Sequence, residues 1–488
     1  MINPELEQLK NEWLIEATIE KIQQKLNKSE ITSKELVLMY LGRIAELDQS
    51  GPKINSIIEI NPEAVQLADA LDFERHLKGS RGPMHGIPVF IKDNIDTGDK
   101  MHTSAGSLAL AGSYAREDAF LVKKLREAGA IILGKTNLTE WANFMAENMP
   151  TGYSSRGGQV LNPYGAKFIV GGSSSGSAAA IASNFAVVSI GTETSGSILS
   201  PASQHSLVGI KPTVGLISRT GIIPLSHTQD TAGPMARTVK DAAILLNVVQ
   251  GVDLKDPITS CNKLVDIDFT KYLKDKGLKG KRIGIARNIY FDYLEEPQLQ
   301  VMNAAIKQLP ELGAEVIDSV DIPSAQEEWD MNVLLYEFKS DLNAYLKNVD
   351  SRIGIRTLSD IIQFNEQVGE KALKYGQKIL IDSDKTSGCL TEPTYLNSLT
   401  KDFYLSRENG IDAVMKQHDL DAIVFPNSFG SMIPAKAGYP SITVPAGYTN
   451  EGEPVGMTFT AKAYSEPTLI EMAYSFEQGT QHRKPPVL

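Results

Sequence analysis

The chain has 488 residues, 42% hydrophobic and 22% charged, which excludes a disordered or fibrous class and supplies a sizeable core. With 59 acidic against 48 basic residues, a net charge of −11 and no Lys/Arg block, the footprint of nucleic-acid binding is missing. Cys261 and Cys389, the two cysteines, make neither a disulfide framework nor a thiolate metal site.

The opening residues MINPELEQLKNEW are polar, and no run approaches ~18 apolar residues, so neither a signal peptide nor a membrane span is expected and the location reads as cytoplasmic. Ile15, Ile19, Ile22 and Leu26 mark one face of a helix. Thr32 to Glu35 forms a capping box that opens a second helix to about Leu47. Asn61-Pro62 starts a third, to about Leu77.

Ile87-Pro-Val-Phe-Ile91 reads as a buried strand with Lys92 at its end. A lysine is rarely placed there without a partner or a task; a structural ion pair with Asp93 or Asp96 is the plainer alternative. A helix over Asp118–Ala128 then leads into a strand at Ala130–Leu133. Gly129 to Thr136 matches the phosphate-loop pattern GxxxxGK[ST] letter by letter. Its four middle residues are a hydrophobic strand rather than an open cradle of N–H groups, and a helix precedes Gly129, so nucleotide binding is not expected there.

Next comes Gly171-Gly-Ser-Ser-Ser-Gly-Ser-Ala-Ala-Ala-Ile-Ala182, after a short apolar run Phe168–Val170 read as a strand. Small residues let the backbone turn tightly and present helix-start N–H groups to an anion or oxyanion. A second turn follows the strand Val187–Ile190, in Gly191-Thr-Glu-Thr-Ser-Gly-Ser197. Three serine chemistries fit these residues. The nucleophile elbow GxSxG would use Ser174 in Gly172–Gly176, with His205, His227, His418 or His482 downstream as base. An SxxK match, Ser260 to Lys263, lies in a polar loop without companion motifs.

The third chemistry joins Lys92 to both serine turns. Lys92 at a strand end, GGSSSGSAAA, and Ser197 lying 24 residues after Ser173 resemble the amidase signature family, whose catalytic set is Ser, cis-Ser and Lys. Gly209-Ile-Lys-Pro-Thr-Val-Gly215, Asp230-Thr-Ala-Gly-Pro234 and Arg237 agree with it. Within that family the likeness runs to bacterial peptide amidases, through Ser104–Leu110, Gly134–Asn143, Ser155–Gln159 and Leu335–Lys339.

The resemblance implies that Ser197 is the nucleophile, Ser173 the bridging serine with a cis peptide bond, and Lys92 the base, while Ser174 is a bystander. It places the oxyanion hole on the backbone N–H groups of Thr194, Ser195 and Gly196, with Ser195 standing where glycine is commoner. It implies no cofactor and no metal. The seven histidines agree, since no two stand at the i, i+4 spacing of a helical metal pair. Relatives that grip a substrate carboxylate carry an arginine two or three residues past the nucleophile; Leu199 and Ser200 stand there instead, which favours neutral or C-terminal peptide amides. An amidotransferase A-type subunit that needs a partner chain, and an esterase built on Ser174, are the alternatives.

Further strands are expected at Arg282–Ala286, Glu315–Ser319, Ala422–Phe425, Ser441–Val444 and Gly456–Thr460, with helices near Gln298–Leu309 and Thr468–Gln478. Asp253–Asp268 is a polar connection. The expected fold is a single large α/β domain over 1–488, with a mixed central sheet covered by helices on both faces. Residues 1–80 form N-terminal helices, 81–250 the catalytic core, 324–410 a helical segment expected to shape a substrate funnel, and 411–488 a part that returns to the sheet.

Overall fold

Eleven strands form one mixed sheet in the computed structural model, which describes residues 3–488. In chain order they are β1 (Ile57–Ile60), β2 (Pro88–Lys92), β3 (Ile131–Thr136), β4 (Val188–Glu193), β5 (Val208–Lys211), β6 (Thr231–Ala236), β7 (Arg282–Ile285), β8 (Glu315–Asp318), β9 (Ala422–Pro426), β10 (Ser441–Tyr448) and β11 (Pro454–Thr460). Their spatial order is β1-β3-β2-β4-β6-β5-β10-β11-β9-β7-β8. β2 runs parallel to both β3 and β4, whereas β6 is antiparallel to β4 and β5. The middle strands are buried along their whole length, which is why they read as continuous apolar runs rather than alternating ones.

One apolar core runs through the chain from Leu6 to Phe476. The strands after residue 280 therefore extend the sheet of the catalytic region and do not found a second domain. A second, smaller core joins Leu138, Trp141 and Phe144 to Phe338, Leu342 and Leu358 of the helical segment. Phe338 is buried there as ordinary packing. Among the described residues no helix is long and apolar enough to cross a membrane.

Three local expectations change. The helix expected from Asn61-Pro62 begins at Ala64, with Glu63 at its N-cap and the Asn61 side chain accepting from the Glu63 N–H. The helix expected from Ile15 begins at Ile19, because Thr18 takes the N-cap and accepts from the Lys21 N–H. Phe168–Val170 is not a strand: Ile169 is 64% exposed, and its carbonyl is taken by the Asn162 side chain instead of a ladder partner. The capping box at Thr32 and Glu35 is formed with both of its hydrogen bonds.

Candidate active site

Parallel pairing of β2 with β4 brings their carboxyl ends to one edge of the sheet, although they are far apart in sequence. Lys92 is the last residue of β2, and Thr192 and Glu193 are the last of β4. From β4 the chain turns through Thr194–Gly196 to Ser197 and enters the helix Leu199–Gln204. The Gly171–Ser174 loop arrives from the side and feeds the wholly buried helix Ser175–Ala182. Its small residues are a packing requirement: a Cβ on Gly176 would lie 2.3 Å from the carbonyl oxygens of Asn137 and Ser56.

These segments converge on Lys92. Its Nζ lies 2.7 Å from Ser173 Oγ, 2.8 Å from Thr192 Oγ1 and 3.2 Å from the Thr192 carbonyl. The Gly172–Ser173 peptide bond is cis. The next N–H, of Ser174, donates to the Ser197 carbonyl at 3.1 Å, tying the two serine turns together. Complete burial pushes the Lys92 pKa down to about 7, against the pull of the Asp230 and Glu193 charges. The ion pair weighed from sequence is not formed by Lys92. Asp93 pairs with Arg156 at 3.3 Å and Asp96 accepts from the Tyr345 hydroxyl at 2.7 Å, and their charges act through space on Lys135, whose Nζ donates to Ile95 O and Thr103 Oγ1. That lysine belongs to the phosphate-loop look-alike, and its burial inside β3 removes it from any nucleotide.

The turn carrying Ser197 is held by Glu193. Its carboxylate accepts from the N–H groups of Gly196 (2.8 Å), Ile198 (2.7 Å) and Leu199 (3.0 Å), so it caps the helix that follows. The Gly196 N–H expected in the oxyanion hole is thus already engaged. Among the described residues none accepts from the N–H of Ser195 or Ser197. The Ser195 side chain is exposed. Gly196 has φ +81°, and a Cβ on it would come 2.9 Å from Ser431 Oγ, a residue of the segment after β9.

Ser174 is engaged elsewhere: its hydroxyl donates to the Thr192 carbonyl at 3.0 Å and accepts from the Thr192 N–H at 3.2 Å. Three of the four histidines named with it as bases turn to other partners, and the fourth, His418, ends the helix Asp412–His418, with its carbonyl taken by Arg282. His205 bonds the Pro201 carbonyl, His227 bonds Asp341, and His482 bonds Gln308. The strand that should precede an elbow is absent as well, since Phe168–Val170 is a loop.

Reasoning on sequence alone gave no role to Glu193, Thr192 or Asp230, although all three lie inside the quoted motifs Gly191–Ser197 and Asp230–Pro234. A charged residue ending the apolar run Val187–Ile190 carried the same signal as Lys92. It also missed a cavity of about 210 Å³ reaching Thr192 and Thr194, walled by Ile222, Ile223 and Leu225. No local spacing announces such a space, because its walls come from loops more than a hundred residues apart.

Residues 35–470 match the amidase family. A probable amidase of Arabidopsis thaliana is 44% identical over 484 residues, covering 96% of this chain and 91% of its own. The crystal structure of peptide amidase from Stenotrophomonas maltophilia superposes with TM-score 0.91 at 44% identity, covering 97% of this chain and 98% of that one. A glutamyl-tRNA(Gln) amidotransferase component of Thermoanaerobacter pseudethanolicus is more distant, at 32% identity over 97% of this chain and 98% of its own. The fold and these likenesses define a hydrolase of amide C–N bonds. The chain belongs to the amidase signature family.

Proposed function

We propose that the protein cleaves neutral and C-terminal peptide amides to carboxylate and ammonia in the cytoplasm, through an acyl-enzyme on Ser197. The observation that carries this reading is the 2.7 Å contact between Lys92 Nζ and Ser173 Oγ at the mouth of the Ser197 turn. A serine hydroxyl becomes a strong nucleophile only when a base takes its proton. Burial supplies the base by favouring the neutral amine of Lys92.

Ser197 Oγ attacks the carboxamide carbon while its proton passes to Ser173, and the Ser173 proton passes to Lys92. The N–H groups of Ser195 and Ser197, with that of Thr194, receive the developing oxyanion. As the tetrahedral intermediate collapses, the C–N bond breaks and the relay returns a proton to the leaving nitrogen. Water then attacks the acyl carbon, gives its proton to the same relay, and releases the acid with Ser197 restored. No step needs a cofactor. Leu199 and Ser200 offer no cation for a carboxylate beside the scissile amide, which supports neutral substrates over acidic ones.

The test is ammonia release from amidated peptides, amino-acid amides and aliphatic amides by the purified single chain. Ser197→Ala and Lys92→Ala are expected to abolish it while retaining the fold. Turnover surviving in Ser197→Ala removes the assignment, and activity that appears only with a second chain supports the amidotransferase reading instead.

A further inference from the structure

We infer that the cavity beyond Thr194 is the subsite for the side chain of the residue that bears the scissile amide, and that it accepts an uncharged apolar side chain. The inference rests on the assignment of Ser197 as nucleophile.

Position is the first argument. The cavity reaches Thr192, which touches Lys92, and Thr194, which lies three residues before Ser197 on the turn proposed to hold the oxyanion. Because Thr194 belongs both to that turn and to the cavity lining, a carbonyl seated on the turn would lie beside this space. The volume of about 210 Å³ suits one amino-acid side chain and not a second domain of a substrate.

Chemistry is the second. The apolar part of the lining is Ile222, Ile223, Pro224, Leu225 and Ala142. This wall is preformed: the Ile223 N–H donates to the Asn94 carbonyl at 2.8 Å, and the Leu225 and Ser226 N–H groups donate to Asp230 at 2.7 and 2.9 Å.

The charged groups around the cavity are all engaged. Arg219 holds Asp256 through two side-chain contacts of 2.9 and 2.7 Å and its own N–H at 2.8 Å. Asp341 takes both the backbone N–H and the Nδ1 of His227, each at 2.9 Å. Asp230 additionally accepts from Thr194 Oγ1 at 2.6 Å. Lys255, at the exposed rim, reaches Glu117 at 3.2 Å. A charged substrate side chain would lose its water and find no free counter-charge, which disfavours it. An apolar one exchanges water for the isoleucine and leucine wall.

The experiment compares kcat/KM for N-acetyl amides of Gly, Leu, Phe, Asp and Lys. Leucinamide is expected to exceed glycinamide by at least about tenfold, the scale set by small changes in a hydrophobic pocket, with the Asp and Lys amides below both. Ala142→Phe adds bulk to the cavity lining, which does not include Lys92, Ser173 or Ser197. It is expected to bring the Leu-to-Gly ratio to about one, with glycinamide turnover retained. If that variant fails to fold, Ile223→Ala carries the test, lowering leucinamide and sparing glycinamide.

Preference for the Asp or Lys amide, or an equal fall of both neutral amides in Ala142→Phe, overturns the subsite while leaving the amidase reading intact. Absence of turnover on every amide removes that reading, and the subsite is then judged by binding. N-acetyl-leucinamide is expected to bind Ser197→Ala more tightly than N-acetyl-glycinamide by calorimetry, and equal affinities overturn the inference.

Discussion

The Nζ of Lys92 and the Oγ of Ser173 stand 2.7 Å apart in a fully buried setting, and the contact serves in either direction. On the ammonium form nitrogen donates to the hydroxyl, and on the amine the hydroxyl donates to nitrogen. Only the second arrangement can accept the nucleophile's proton, and burial places the changeover at a pKa of about 7. Activity is therefore expected to rise about tenfold per pH unit below about pH 7 and to level off above it. A pH profile of kcat/KM measured with a neutral amide checks this. A flat profile between pH 5 and 8 would remove Lys92 from the role of base.

Asp230 sets part of that value. Its charge raises the Lys92 pKa against the desolvation that lowers it, and its own pKa is pushed up to about 6 by burial. Asp230→Asn can keep its one oxygen on the Leu225 and Ser226 N–H groups and turn its NH₂ to Thr194 Oγ1, which then accepts instead of donating, and it removes the charge. The neutral amine then persists to lower pH, so the acid limb of the profile is expected to move down. The effect is confined to pH above about 6, where Asp230 is ionised in the parent protein. An upward movement of the limb would contradict the electrostatic account.

The lowered pKa also enters stability. Between about 7 and the unfolded value near 10.4, the unfolded chain binds a proton at Lys92 that the folded chain does not. Stability linked to this group therefore rises with pH across that window and is lowest, and constant, below it. Lys92→Met removes the buried amine and is expected to raise Tm relative to the parent more at pH 7 than at pH 10. Scanning calorimetry on both proteins at the two pH values measures the difference, and a larger gain at pH 10 would reverse the sign argued here.

Much of this site was legible in the sequence because its chemistry is local. Lys92 ends a five-residue apolar strand, and the two serine turns keep small residues where the backbone packs tightly, as at Gly176. Residue spacing could not show that Asp93 pairs with Arg156 and that Asp96 accepts from Tyr345, leaving Lys92 to Ser173 and Thr192, because these partners come together only in the fold. Nor could it show that Phe168–Val170 leaves the ladder, since an apolar triplet has the same pattern whether a strand partner or Asn162 takes its carbonyl. The cavity walls depend on loops brought together only by the sheet order. The single domain was legible in the strands that recur after the helical segment.

Ser174 and Ser197 make opposite predictions. The Ser174 hydroxyl is fully buried and bonded twice to Thr192, so Ser174→Ala costs two backbone contacts, roughly 1–3 kcal/mol of stability, and leaves turnover within about tenfold. A fluorophosphonate probe is expected to label Ser197 in both the parent and Ser174→Ala. Peptide mapping that places the label on Ser174 would restore the esterase alternative.

Gly196 is constrained twice, by φ +81° and by the Ser431 hydroxyl 2.9 Å from where a Cβ would stand. An alanine pays about 1–2 kcal/mol for the left-handed backbone alone, and the contact with Ser431 adds to it. Because the turn carries Ser197 and the proposed oxyanion donors, a small shift is expected to lower kcat by about 10²-fold with KM little changed. The double variant Gly196→Ala with Ser431→Gly relieves the contact but not the φ, so it is expected to recover only part of the loss. Full recovery would show that the contact alone matters, and no recovery would assign the whole effect to the backbone.

Glu193 offers the sharpest separation of positioning from chemistry, because it touches no proposed reacting atom yet holds three N–H groups around Ser197. Glu193→Gln keeps the shape, but its amide can present only one oxygen to donors that now occupy two, and its NH₂ faces an N–H group. The turn is expected to shift, lowering kcat by about 10²-fold as a displaced nucleophile does, with KM nearly unchanged. Loss of the charge also removes one of the two charges that raise the Lys92 pKa, so the acid limb of the residual activity is expected to move to lower pH. A residue that merely stabilised the fold would lower Tm without moving that limb, and measuring kcat, Tm and the pH profile on the same variant tells the two apart.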